Sequence, residues 1–219
     1  MQQVNALIWD LDGVLVDSEH YHYRAWRETM RLLHYDEMSL VDFRRTFGMR
    51  NVDLLRGVLG LTLSEAQAND LADMKEARYR ELVRSEGMQL LPGVQTWLAA
   101  AHLAGWLQAV ASSAPRANVE TVVDAVKIRH FFGALICAED VRHGKPDPEV
   151  YLTAARRLGV TPTRCIVIED APSGTQGARA GGMASIGVLT THTELVADLV
   201  LPDLADVPFE AVCALLDNH

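Results

Sequence analysis

Val4-Asn5-Ala6-Leu7-Ile8-Trp9-Asp10-Leu11-Asp12-Gly13-Val14-Leu15-Val16-Asp17 is an apolar run of strand length that ends in two carboxylates, one residue apart, and then a glycine. This pattern reads as a buried strand whose C-terminal end opens into a site. On an extended chain residues i and i+2 point to the same side, so Asp10 and Asp12 can converge on one point. Two such carboxylates repel unless a cation sits between them. Oxygen-only ligands suit a hard ion, and Mg2+ is the usual choice where a phosphate completes the shell. The same residues are compatible with an ordinary acidic turn after a strand, so the rest of the chain has to decide.

The 219 residues, 49% hydrophobic and 22% charged, suffice for one α/β domain and a small second unit, and they exclude a disordered or fibrous chain. A net charge of −9 argues against a nucleic-acid or anionic-membrane partner, either of which would favour a basic patch. Met1-Gln2-Gln3 leads straight into the first strand, and no apolar stretch approaches membrane-spanning length, so a cytoplasmic location is expected. Cys137, Cys165 and Cys213 form no closely spaced metal or redox motif and are read as small hydrophobes.

From Ser18 to about Tyr35 the pattern turns helical, with Tyr21, Ala25, Trp26, Met30 and Leu33 on one face. Helices are also predicted over 40–46, 52–59 and 64–84, with no strand between about 17 and 86. The expected organisation is therefore an α/β core of residues 1–16 and 87–219, interrupted by a small all-helical domain of residues 17–86. Beyond Pro92-Gly93, helices are predicted over 94–104, 116–126, 148–158, 174–180 and 209–216. Strands are predicted over 106–111, 134–138, 164–168 and 185–189, followed by a short apolar Leu199-Val200-Leu201. Apolar strands alternating with helices imply a parallel, Rossmann-like sheet covered on both faces, with ligands at the carboxyl ends of the strands.

Polar groups stand at those ends. The second core strand runs into Ser112-Ser113, where a hydroxyl and neighbouring amides can hold a phosphate oxygen, although serines also form turns. Lys145, between Gly144 and Pro146, is presented from a constrained loop; a lone lysine is otherwise a surface charge. Ile166-Val167-Ile168 ends in Glu169-Asp170, a second acidic pair, for which helix capping by Asp170 is the plainer reading. Acidic ligands, a hydroxyl and a cation at the ends of different strands are what phosphoryl transfer needs, because its transition state spreads charge over three oxygens.

With these residues in view, the sequence resembles the haloacid dehalogenase superfamily, and within it the β-phosphoglucomutase-like phosphatases with a helical cap. The matching motifs are Asp10-Leu-Asp12-Gly-Val, Ser112 after Ala-Val-Ala, Lys145 in Gly-Lys-Pro-Asp-Pro, and Glu169-Asp170 before Ala-Pro-Ser-Gly and Ala178-Arg-Ala-Gly-Gly-Met183. They occur in the family's order and span essentially the whole chain. The resemblance implies an aspartyl-phosphate on Asp10 and an acid/base role for Asp12. It also implies Mg2+ held by Asp10, the Asp12 carbonyl and Asp170, with Glu169 either on the ion or behind it, and a phosphate cradle of Ser112, Ser113 and Lys145. The implied partner is a small phosphorylated metabolite, on a chain expected to be monomeric.

The resemblance also frames the choice of reaction. Water as acceptor makes a phosphatase; a hydroxyl of a bound sugar phosphate makes a mutase, the β-phosphoglucomutase reaction. His22 matches a cap-hinge histidine of β-phosphoglucomutases. Asn51 stands where those enzymes are expected to carry a phosphate-gripping arginine, with Arg50 one position away. This departure favours the phosphatase. Trp26, Arg44, Arg45, Arg50 and Asn51 are the candidates for substrate contacts. Phosphonoacetaldehyde hydrolysis would need a Schiff-base lysine in the cap; Lys75 falls in a late, charge-rich helix and is expected to be solvated. A non-catalytic sensor would have lost a core group, and none is missing.

Overall fold

The computed structural model describes residues 4–32, 39–46, 55 and 63–217. It divides into two compact units, one of Met1–Asp17 with Met88–His219 and one of Ser18–Gly87.

In the larger unit six parallel strands form one sheet, β1 (Ala6–Trp9), β2 (Leu107–Ala111), β3 (Ala134–Ile136), β4 (Cys165–Glu169), β5 (Ala184–Val188) and β6 (Leu199–Leu201). Their order is β3-β2-β1-β4-β5-β6. The expected Rossmann-like α/β fold is present, and the order reverses between β1 and β4, where such sheets open a crevice at their carboxyl ends.

Strand alternation decides what faces that crevice. Ala6 and Ile8 of β1, Ala109 and Ala111 of β2, and Cys165 and Val167 of β4 share a buried cluster with Val150, Tyr151, Ala154 and Ala155. Those four lie on the helix Glu149–Leu158. Trp9 and Gln108 point to the opposite face. There the Gln108 amide accepts from Trp9 Nε1 at 3.0 Å and donates to the Leu98 carbonyl at 3.0 Å, on the helix Val94–Leu103. By the same period of two, Asp10 and Glu169 fall on the face of Tyr151.

The described elements of the smaller unit are helices: α1 (Glu19–Leu32), α2 (Leu40–Thr46) and α3 (Glu65–Glu86). Helix α3 begins with a capping box, Ser64 accepting from the Gln67 amide while the Gln67 side chain accepts from the Ser64 amide. Trp26, Met30, Phe43, Leu55, Ala68 and Leu71 form this unit's core. The helix predicted over 52–59 lies outside the described residues except Leu55, as do residues 33–35 of the first predicted helix.

Continuing in chain order, the larger unit carries α4 (Val94–Leu103), α5 (Arg116–Ala125), α6 (Glu149–Leu158) and α7 (Pro172–Ala180). One segment differs from expectation. Residues Phe209–Asp217 form a 3-10 helix rather than an α-helix. Its tighter winding stacks Phe209 and Val212, three apart, on the buried side, and the Phe209 ring meets Trp97 and Trp106 edge-on at 5.9 and 5.1 Å.

Gln108 is 1% exposed and joins β1, β2 and α4 through both ends of its amide. Gln108→Leu leaves the Trp9 N–H and the Leu98 carbonyl without this partner in the core, each costing about 1–3 kcal/mol. Urea unfolding is expected to register a loss of about 2–4 kcal/mol, and an unchanged midpoint would show that the two groups find other partners.

Candidate active site

The crevice between β1 and β4 gathers one cation and three carboxylates. Trp9 pairs with Ile168 across the two strands, and the Asp10 amide continues the ladder to the Ile168 carbonyl at 3.0 Å. Asp10 and Glu169, the next residue on each strand, are thus side by side. Lys145 Nζ donates to Asp10 Oδ1 and to Glu169 Oε1, the latter at 2.5 Å. Asp10, Glu169 and Asp170 each offer a carboxylate oxygen within 4.8 Å of the others. They are 8%, 1% and 5% exposed.

The lysine is held by its loop. The Glu149 carboxylate accepts from the Arg142 and His143 amides at 2.9 Å each, and Asp147 Oδ1 accepts from the Glu149 amide at 2.9 Å. These bonds tie both sides of Lys145 to the start of α6.

Glu169 is enclosed on every side. Its Oε2 accepts from the Asp170 and Ala171 amides at 3.0 and 3.1 Å, and its Oε1 accepts from the Tyr151 hydroxyl at 2.8 Å as well as from Lys145. Gly174, in the first turn of α7, faces the carboxyl group so closely that any Cβ there would overlap it. Asp170 accepts from the Thr191 hydroxyl through Oδ2, and Thr190 donates to the Gly13 carbonyl. Gly13 has φ 82, and a Cβ on it would strike the Asp170 carboxylate and the Thr191 methyl. Glycine is required there for both conformation and space.

One ammonium faces three carboxylates in a dry pocket, and the protonation equilibria reflect that shortage of positive charge. Burial pushes the Asp10 carboxyl well up, Glu169 and Asp170 push it further, and Lys145 only partly offsets them. Burial and then the Glu169 charge push Asp170 up to about 7, against the pull of Thr191 and Lys145. Burial pulls Lys145 down, but Asp10 and Glu169 more than compensate and hold it well above its usual range, an ammonium. Burial also holds the Tyr151 hydroxyl well above its usual range, so it stays a donor. A buried, all-oxygen trio with surplus negative charge is the donor set of a hard divalent cation, and Mg2+ fits it.

Asp12 is half-buried in the turn after β1, its side chain outside the carboxylate trio. β1 ends at Trp9, and bonds from Gly13 N to Val16 O at 2.8 Å and Leu15 N to Leu11 O at 2.9 Å turn the chain around Asp12. Ser112 is buried at the end of β2, where its hydroxyl oxygen accepts from the Ala114 amide at 3.0 Å, and Ser113 is exposed.

In the helical unit, His22 stacks on Tyr79 with centroids 4.0 Å apart. Trp26 is buried in the unit's core, and Arg44 pairs with Glu19 at 2.9 Å on the surface. Arg50, Asn51 and the Arg45 side chain lie outside the described residues. Lys75 corrects an expectation. It is not solvated but 3% exposed, with Nζ 2.7 Å from His22 Nδ1 and 2.9 Å from Glu76 Oε1. A buried ammonium needs such partners. Since it can only donate, His22 Nδ1 is the acceptor.

Sequence reasoning passed over Tyr151 and the pair Thr190-Thr191. The threonines follow β5, so the rule that picked out polar groups after β1, β2 and β4 would have found them. Tyr151 sits on the apolar face of α6 and is indistinguishable there from core, except that a buried hydroxyl needs a partner.

A family model for haloacid dehalogenase-like hydrolases matches residues 4–182, which carry Asp10, Asp12, Ser112, Lys145, Glu169 and Asp170. The chain belongs to the haloacid dehalogenase-like hydrolases. Fructose-1-phosphate phosphatase YqaB of Escherichia coli is 32% identical to this hydrolase over 187 residues, covering 84% of this chain and 95% of that one. The β-phosphoglucomutase of Bacillus subtilis is 30% identical over 218 residues, covering 94% and 93%. The solved structure of CbbY from Rhodobacter sphaeroides in complex with phosphate matches with a TM-score of 0.85 at 26% identity, covering 93% and 96%. This hydrolase is therefore an enzyme whose relatives include phosphatases and a phosphomutase. Among the described residues no helix is long and apolar enough to cross a membrane.

The charge imbalance has a measurable sign. In the metal-free hydrolase Asp170 is protonated up to about 7, whereas an unfolded aspartate loses its proton near 3.8. Between those values the folded state binds more protons, so unfolding free energy falls as pH rises. Thermal unfolding in chelator between about pH 4 and pH 7 is expected to fall more steeply for the wild type than for Asp170→Asn. Equal slopes would remove Asp170 as the titrating group.

Proposed function

We propose that this hydrolase is a Mg2+-dependent phosphatase of a small phosphorylated metabolite, a sugar phosphate, working through a phosphoryl group carried on Asp10. The observation that carries this reading is the Asp10 carboxylate at the sheet's switch point, with the Lys145 ammonium on one oxygen and Asp170 and Glu169 alongside.

A carboxylate nucleophile needs no base to activate it, but it must remain ionised and meet a phosphate dianion. Lys145 contributes to both needs, opposing the rise that burial imposes on Asp10 and balancing charge on the incoming oxygens. Asp10 attacks phosphorus, the bond to the leaving oxygen breaks, and Asp12 supplies the proton that oxygen takes up. Water then attacks the phosphoryl group while Asp12 accepts its proton, and phosphate leaves with Asp10 restored. That exchange suits a carboxyl outside the acidic trio, whose protonation does not discharge the trio. Ser112 and the Ser113 amide, at the neighbouring strand end, fit the phosphate cradle. Mg2+ held by Asp10, Asp170 and the Asp12 carbonyl, with Glu169 behind them, would supply the remaining positive charge. The choice of substrate is assigned to the helical unit, with Arg50 and Asn51 as candidates and Trp26, buried in that unit's core, as packing, and the site to a cytoplasmic, monomeric enzyme.

The second reading is a β-phosphoglucomutase, in which a sugar hydroxyl replaces water. It draws on the Bacillus subtilis relative and on His22, whose ring is held against Tyr79 and Lys75. A phosphorus NMR time course with Mg2+ separates the two, using fructose 1-phosphate in one sample and β-glucose 1-phosphate with a trace of its 1,6-bisphosphate in another. Inorganic phosphate is the expected product, and glucose 6-phosphate as main product would make the mutase correct. Asp10→Asn is expected to lower turnover by at least about 10³-fold, as removal of a nucleophile does. Residual activity near wild type would refute the covalent route.

A further inference from the structure

We infer that Tyr151 is a positioning residue for the reaction: its hydroxyl completes the hydrogen bonding of Glu169 and thereby sets how the Lys145 ammonium is shared between Glu169 and the nucleophile Asp10. The inference rests on the reading of Asp10 as nucleophile. It adds to that reading a residue that touches neither substrate nor reacting atoms.

A carboxylate offers about four lone-pair sites. Glu169 receives four donors, the Asp170 and Ala171 amides on Oε2 and Lys145 and Tyr151 on Oε1. Glu169 is 1% exposed and Tyr151 fully buried, so no bulk water stands ready to replace a lost donor. Gly174 closes the remaining side. Lys145 is shared between two anions, Asp10 and Glu169, and its Nζ lies 5.4 Å from the centroid of the Tyr151 ring. The ring adds a weak attraction for the same cation.

The hydroxyl is therefore a lever on the lysine. With Tyr151 bonded, part of the Glu169 charge is already answered, and Lys145 remains available to Asp10. Without it, Oε1 has Lys145 as its one side-chain donor, and the ammonium is drawn toward Glu169 and away from the nucleophile. The coupling runs through buried hydrogen bonds in a low-dielectric pocket, where such networks act as a unit. The source of the effect is one oxygen atom, since phenylalanine fills the same space and keeps the ring beside Nζ.

Tyr151→Phe is the test, read by steady-state kinetics and by the ¹⁵N NMR signal of the Lys145 ammonium in metal-free protein, assigned by its loss in Lys145→Arg. The expected result is a fall in kcat of about 10-fold with KM held within about threefold, the range and pattern for a partner that orients a reacting group. The Lys145 signal should shift from its wild-type position. If kcat and the signal both hold, whatever happens to Tm, Tyr151 only fills the core and the inference is overturned. A raised KM with unchanged kcat overturns it too, because the hydroxyl would then serve binding. If the wild type turns over no phosphate ester, the proposed function fails, and the NMR signal alone still decides whether Tyr151 sets the position of Lys145.

Discussion

The ammonium of Lys145 between Asp10 and Glu169 is the interaction on which the site depends. Three carboxylates cannot share a dry pocket without compensation, since each carries a desolvation cost of several kcal/mol that only an opposite charge and good hydrogen bonds offset. Lys145 supplies the one cation among the described residues of the cluster. Its location follows from ordinary elements: a proline-bounded loop stitched to α6 by Glu149 and Asp147, and two strands whose register brings Asp10 beside Glu169. Under the proposed mechanism the remaining imbalance has a use: a site short of positive charge suits a divalent cation, which would oppose the burial that pushes the Asp10 carboxyl up.

The sheet makes this possible through parity. Along β1 and β4 alternate residues face α6, and the acidic residues that follow keep the same alternation, so they arrive beside Tyr151 and Lys145 and not beside Trp9 and Gln108. The opposite face carries its own polar tie, the Gln108 amide, which fixes β1 to β2 and α4. One face is thus fastened by a neutral amide and the other by an ionic network, with β1 held between them.

Much of this was legible in the chain. Strand-length apolar runs ending in Asp10, Ser112 and Glu169 mark the carboxyl ends of strands, because a polar group without a partner cannot continue a run that is buried on both faces. What the chain did not disclose depends on contacts between residues far apart. Tyr151 meets Glu169 across 18 positions, and Thr191 meets Asp170 across 21. Lys75 looked solvated because its helix is rich in charge, yet its partner His22 lies 53 residues earlier on another helix, and only their packing brings the two together. The surroundings of Asp12 were less legible, because the chain leaves the sheet after Trp9 and the bonds from Gly13 to Val16 and from Leu15 to Leu11 fold it back.

The two connections between the core and its inserted helices are paired with each other. Val16 and Leu90 form an antiparallel bridge, and the Leu91 amide donates to the Leu15 carbonyl at 3.0 Å. To the sheet, everything between these residues is one closed loop, tied off at its root. The entropy of closing a loop grows only with the logarithm of its length, so that doubling it adds about 0.6 kcal/mol. An insertion anchored in this way can lengthen, shorten or be rebuilt at little cost to the core's stability. The fold thereby has two parts of different tolerance: the sheet that holds the buried carboxylates is fixed by register and charge, while the helices between Val16 and Leu90 hang from a closed root whose entropic cost varies little with their length.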